Sequence, residues 1–198
     1  MSTAVRQAVT VGFLALGTVL LGISFRIEPG SAWFYPSALA LAATWAVGAF
    51  ASGPVPLGKR GPVLPLLVGA GLAGVFVLGA LVVREIPLLE DQVAAVTAYA
   101  VRGSGPLVFA VTLLTGAGEE LFFRGAVYAR VPERPVIGST LVYALVTVAT
   151  GNAALVLAAA LLGLVVGLVR QRSGGVLAPA ITHMTWSLVM LLALPALF

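Results

Sequence analysis

A polytopic, all-helical membrane bundle is the fold class this sequence predicts, and three observations predict it. Of its 198 residues, 60% are hydrophobic and only 9% are charged, whereas a soluble domain carries about 25%. The apolar residues fall in runs close to the roughly 20 needed to cross a bilayer as a helix. Gly, Pro and Arg collect in the breaks between those runs, as expected of loops. The whole chain, 1–198, reads as one integral membrane domain.

The runs are Ala8–Phe25, Trp33–Ser52, Pro62–Val83, Gly105–Ala129, Ile137–Thr150, Ala153–Val169 and Val176–Leu197. The first follows Arg6 and resembles a signal peptide, but no small-residue cleavage pattern follows it, so a first transmembrane helix is expected. The second and third are parted by Ser52-Gly53-Pro54 and by Lys59-Arg60-Gly61-Pro62. Leu88–Val101 is short and opens on Glu90-Asp91, which suits an interfacial or re-entrant helix. Seven spans and one such short helix result.

The fifth run is the odd one. Its fourteen residues rise about 21 Å as a helix, short of the roughly 30 Å hydrocarbon core. The following Thr150-Gly151-Asn152 is therefore expected within the membrane. Irregular backbone is tolerated there only beside protein or a wet cavity, so a polar cavity nearby is anticipated. Gly163 and Gly167 form a small-residue face for close helix packing, and Gly69, Gly71 and Gly74 are expected to form another.

Charge orients the bundle. With the N-terminus cytoplasmic, the inside collects Arg6, Lys59, Arg60, Arg124, Arg130, Arg134, Arg170 and Arg172. The outside receives Arg26, Arg84 and Arg102 together with Glu28, Glu85, Glu90 and Asp91. That asymmetry obeys the positive-inside rule, and a multi-pass protein of the cell (plasma) membrane is expected. The basic residues stand singly among loops, which is no nucleic-acid pattern.

The chain has no cysteine, one His (His183) and one Asp (Asp91). Thiol nucleophiles and Cys-metal sites are excluded. So are an HExxH zinc site, which needs two histidines, and a two-aspartate intramembrane site. A Ser–His mechanism through Ser187 lacks a nucleophile-elbow pattern.

Ionisable residues within membrane helices are costly and mark function by default. The segment Gly116-Ala117-Gly118-Glu119-Glu120-Leu121-Phe122-Phe123-Arg124 holds three of them. Glu120 and Arg124 are four apart and share a helical face, as an ion pair requires. Glu119 lies about 100° round the helix from Glu120, with Phe122 and Phe123 as face neighbours. A carboxylate left over in such a place suits a general base or acid. The plainer alternative is that all three lie near the cytoplasmic end and snorkel into water. That accounts for Arg124 better than for two adjacent glutamates. His183 lies seven residues into the last run, at a depth similar to Glu119, and Ser187 follows one turn later on the same face.

These residues resemble a known family. Glu119-Glu120-x-x-x-Arg124, a short apolar helix, and His183-x-x-x-Ser187 look like the CAAX protease and bacteriocin-processing family of intramembrane endopeptidases, which includes the type II CAAX prenyl endopeptidases. The resemblance covers about Gly105 to Leu192, with Gly163…Gly167 and Gly174…Pro179 between the motifs. It implies a catalytic core at 105–192, with Glu119 as the base that activates water and Glu120 and Arg124 as a structural pair. His183 and the residue one turn on, here Ser187, would polarise the scissile carbonyl. The sequence departs from the family in its middle motif, an aromatic-x-x-x-His, which here runs from Tyr143 to Thr147. Thr147 keeps the position and depth but has no imidazole, and its hydroxyl neither carries charge nor binds metal well.

The leading expectation is thus an intramembrane endopeptidase that hydrolyses a membrane-associated protein or peptide near the cytoplasmic face. Glu119 would activate water and Thr147 would position it. With so few ligands left, no metal and no other cofactor is expected. The alternative is a catalytically impaired relative that binds membrane proteins or peptides in the same cavity. A weaker one is a small transporter with Glu119 as proton relay. Ten Arg against one Lys, with abundant Ala, Gly and Val, suggests a GC-rich bacterial genome.

Overall fold

The computed structural model describes residues 1–58 and 61–198; the Lys59-Arg60 charges counted above lie outside the described residues. Among the described residues the chain forms eight α-helices and no strand. They are α1 (Thr3–Ser24), α2 (Phe34–Ser52), α3 (Val63–Val83), α4 (Pro87–Arg102), α5 (Gly105–Glu119), α6 (Pro135–Thr147), α7 (Ala153–Ser173) and α8 (Leu177–Ala193). Counting α5 with its continuation to Arg130, six are long and apolar enough to cross a membrane. Pro135–Thr150, which is α6 and its last 3₁₀ turn, is a shorter apolar helix. The protein is therefore a multi-pass integral membrane bundle, with every predicted run within a few residues of an observed helix.

Local chemistry sets the ends of these elements. The Ser2 side chain accepts from the Val5 amide at 3.4 Å and the Asn152 side chain from the Leu155 amide at 2.9 Å, each satisfying an orphan donor at a helix start. Gly151 (φ 70°) and Gly174 (φ 73°) end the helices before them in the left-handed conformation, where a side chain would be strained. The shell is apolar: Leu64, Leu67, Val75 and Leu78 of α3 are exposed, as the lipid-facing side of a span should be.

The interior is aromatic. Trp45 of α2 packs on Phe122 and Phe123, with ring centroids 4.8 and 5.1 Å away, and Phe123 meets Tyr143 of α6 at 4.8 Å. Glycines admit these contacts. A Cβ on Gly118 would lie 2.8 Å from the Ala42 carbonyl oxygen, and one on Gly69 would lie 2.6 Å from that of Thr182. Gly163 and Gly167 meet α6 as expected, through Thr140 and Val136. Gly71 and Gly74 correct the expectation of a second small-residue face, since a Cβ there would meet nothing within 4 Å. Only one glycine of that trio faces a helix.

The two ends of the bundle differ. At the N-terminal end of α1, Arg130 donates to the Ser52 carbonyl at 2.6 Å, and Thr10 bonds the Ser52 hydroxyl at 3.0 Å. The amides of Val176 and Leu177 bond the carbonyls of Pro56 and Leu57 at 2.9 and 3.1 Å. Two loops are thereby tied across this arginine-rich end. At the other end α4 packs beside the α6–α7 turn. Gln92 accepts from the Ala154 amide at 3.0 Å, and its carbonyl accepts from Asn152 at 2.7 Å. Tyr99 donates to the Ile27 carbonyl at 2.6 Å. Helix α4 is too short and polar to count among the spans, as its opening acids foretold.

Candidate active site

The chain does not continue as an α-helix through the charged cluster. From Glu120 to Val127 it is a π-helix, with bonds from each residue to the fifth along, a rare winding that is frequent at functional sites. Because it is wider, successive side chains diverge less than on an α-helix. Glu119 and Glu120 consequently reach the same imidazole. The odd carbonyls that this winding leaves are met from α7, where the Arg170 side chain donates to the Arg124 carbonyl at 2.9 Å.

Arg124 and Glu120 are fully buried, with NH1 to Oε1 at 3.2 Å. Arg124 also donates to the Gly163 carbonyl at 3.0 Å and stacks 5.0 Å from the centre of the Tyr143 ring. A Cβ at 163 would lie 3.2 Å from the guanidinium, so the glycine admits the cation as well as the helix. Complete burial overturns two expectations. The cluster does not snorkel to water, and Arg124 is no loop charge for the topology count.

His183 of α8 joins the pair from the side, its Nδ1 2.8 Å from Glu120 Oε1. Its other nitrogen, Nε2, lies 3.9 Å from Glu119 Oε2. Gly116 lies against the imidazole, where a Cβ would make an ordinary contact at 3.7 Å. Glu119 Oε2 in turn accepts from the Tyr143 hydroxyl at 2.7 Å. Three helices and the π-segment thus bring two hydrogen-bonded groups together, Glu119 with Tyr143 and Glu120 with Arg124 and His183, joined by the 3.9 Å Glu119–His183 contact and by Arg124 over the Tyr143 ring.

Glu119 opens on a cavity of about 120 Å³ that Tyr143, Thr147, Thr150 and Trp186 also line. Thr147 donates its hydroxyl proton to the Tyr143 carbonyl at 2.9 Å, which leaves its oxygen as an acceptor. Ser187 is half-buried and does not line this cavity; the wall from α8 is Trp186. Of the Thr150-Gly151-Asn152 turn only Thr150 lines this cavity, whose wall is mostly apolar, so it is not the polar cavity anticipated there.

Sequence reasoning missed Tyr143 as a site residue, although it opens the middle motif one turn before Thr147. It also missed Trp186, one turn from His183. A shared face at spacings of four and three was the available signal.

Glu120 Oε1 is committed to both Arg124 and His183 and Glu119 Oε2 to Tyr143, which leaves Glu119 Oε1 and His183 Nε2 without a hydrogen bond among the described residues. Among the described residues no group of three or more His, Cys, Asp or Glu has metal-binding geometry.

Residues 102–189 match the family model of type II CAAX prenyl endopeptidase Rce1-like proteins. The Rce1-like match runs from the end of α4 through most of α8, so it takes in Glu119, Glu120, Arg124, Tyr143 and His183 and leaves α1 to α3 outside. No curated protein and no solved structure matched the chain. By its description that family is one of prenyl endopeptidases, which are hydrolases.

The Tyr143–Glu119 bond yields a first prediction. Tyr143→Phe removes one charge-assisted hydrogen bond and little volume. Proteolytic kcat is expected to fall roughly tenfold, about 1.4 kcal/mol, with KM nearly unchanged. An unaltered kcat would show that the hydroxyl takes no part.

Proposed function

We propose that the protein is an intramembrane endopeptidase in which Glu119 activates a water molecule against a peptide bond of a membrane-associated protein or peptide. The observation that carries this reading is the position of Glu119. It is the one carboxylate of the cluster that meets a cavity, while Glu120 is consumed by Arg124 and His183. Water held by Glu119 and the Thr147 oxygen attacks the carbonyl carbon as Glu119 takes its proton. The C–N bond then breaks, and that proton passes to the leaving amine.

His183 serves the carbonyl through Nε2 while Glu120 holds Nδ1. Nε2 carries no hydrogen bond of its own and is the nitrogen left for the scissile oxygen. Ser187 would assist only by a change of rotamer. No step of this reading is routed through a metal. We place the protein in the cell membrane with the N-terminus cytoplasmic, on the loop arginines.

Purified protein in lipid, incubated with a membrane proteome, is expected to release peptides with new termini. Equal termini from wild type and Glu119→Gln would remove the proposal.

A second reading, a catalytically impaired relative that binds peptides in the same cavity, is favoured by Thr147 alone. Restoring an imidazole by Thr147→His is expected to raise the cleavage rate, toward the roughly 10²–10⁴-fold that general acid–base assistance brings. If wild type cleaves nothing and Thr147→His cleaves, the second reading stands.

A further inference from the structure

The wall of the catalytic cavity has a direction. Besides the site residues it is built from Leu21 and Phe25 at the end of α1, Thr150 after α6, and Leu155 and Ala158 at the start of α7. All of these lie toward the end of the bundle that carries α4. Beyond them is a vestibule of about 690 Å³, which shares Phe25 and Thr150 with the catalytic cavity. Arg26, Glu28, Asp91, Gln92 and Asn152 give its wall polar groups of both signs.

Toward the arginine-rich end the site is sealed. Phe122, Phe123, Trp45 and Arg124 are at most 1% exposed. Val55 fills the space beside the π-segment, where a Cβ on Gly125 would lie 3.2 Å from it. Below that, the Pro56 and Leu57 carbonyls are bonded to the amides of Val176 and Leu177.

Loop charges distinguish the same two ends. Arg6, Arg130, Arg134, Arg170 and Arg172, with Glu133, lie at the sealed end. Arg26, Arg84 and Arg102 with Glu28, Glu85, Glu90 and Asp91 lie at the open one. The positive-inside rule makes the sealed end cytoplasmic.

We infer that substrate reaches Glu119 through the vestibule beneath α4, from the extracytoplasmic side of the membrane. This rests on the protease reading and narrows its substrate class. The scissile segment belongs to a membrane-associated protein that presents an extended, unpaired stretch at the outer interface. A lipidated tail offered from the cytoplasm meets the sealed end instead. The vestibule suits such a stretch because its polar wall can meet peptide N–H and C=O groups that leave water.

Because the chain has no cysteine, Ala95→Cys in the vestibule and Gln171→Cys at the sealed end each report one position. Both residues are exposed and outside the catalytic set. In intact cells a bulky, membrane-impermeant maleimide is expected to label Ala95→Cys, and to reach Gln171→Cys only after permeabilisation. On the purified full-length protein, modification at 95 is expected to abolish Glu119-dependent cleavage, and modification at 171 to leave it unchanged. Cleavage sites mapped from the membrane proteome should lie at the outer ends of spans. Reversed labelling, or Glu119-dependent sites at cytoplasmic ends, overturns the inference while the protease reading stands. Absence of any Glu119-dependent site overturns both.

Discussion

Glu119→Gln is expected to lower the cleavage rate by about 10²–10⁴-fold, the range contributed by a positioned general base, while the protein remains folded. The carboxamide has nearly the shape of the carboxylate, and its oxygen still accepts from the Tyr143 hydroxyl, now 2.7 Å from Glu119. Substrate should therefore bind with little change in KM, and the loss should appear in kcat. An amide cannot take a proton from water, and no neighbour replaces it. Glu120 is held by Arg124 and His183, and Thr147 has its proton on the Tyr143 carbonyl. A variant that unfolds, by thermal melting in detergent, would make Glu119 structural. A variant that folds and cleaves at the wild-type rate would move the chemistry elsewhere.

Arg124→Met is expected to act on the fold instead. Removing one member of a buried ion pair leaves an uncompensated charge, at a cost of about 3–5 kcal/mol. Here the stranded group is Glu120, fully buried with only His183 left to meet it. The Gly163 carbonyl also loses its donor. The pair is already incompletely satisfied, since Glu120 Oε2 and Arg124 Nε find no partner. Such a network is kept at some expense in stability, as at sites with a task beyond packing. Melting temperature should fall sharply for Arg124→Met and recover in part for Glu120→Gln combined with Arg124→Met, which strands no charge. A single variant as stable as wild type would contradict the bracing role.

Much of this architecture was legible because the bilayer simplifies the code. Long apolar runs became helices α1, α2, α3, α5, α7 and α8 with small errors at their ends, and Glu90-Asp91 set α4 apart from the six helices long and apolar enough to span. Glu120 and Arg124 were paired on spacing alone. Matching depths brought Glu119 and His183 to one place. The π-winding from Glu120 was hidden, since no local spacing marks it and the Arg170 side chain that bonds the Arg124 carbonyl lies 46 residues away. The bond from Tyr143 to Glu119 likewise needs α6 to cross α5 at one height. Gly71 and Gly74 show the opposite failure: spacing marks a face without saying whether a helix lies against it. The direction of the opening was beyond local reading too, since it depends on how the ends of α1, α6 and α7 part around Thr150.

Direct attack by water, with no covalent intermediate on the protein, is the claim on which the rest depends. It is tested by running the cleavage in heavy-oxygen water with hydroxylamine present, and analysing the new C-termini by mass spectrometry. The account predicts carboxylates that each carry one heavy oxygen, with no hydroxamate formed. C-terminal hydroxamates, or an acyl group trapped on Ser187 or Thr147, would contradict it.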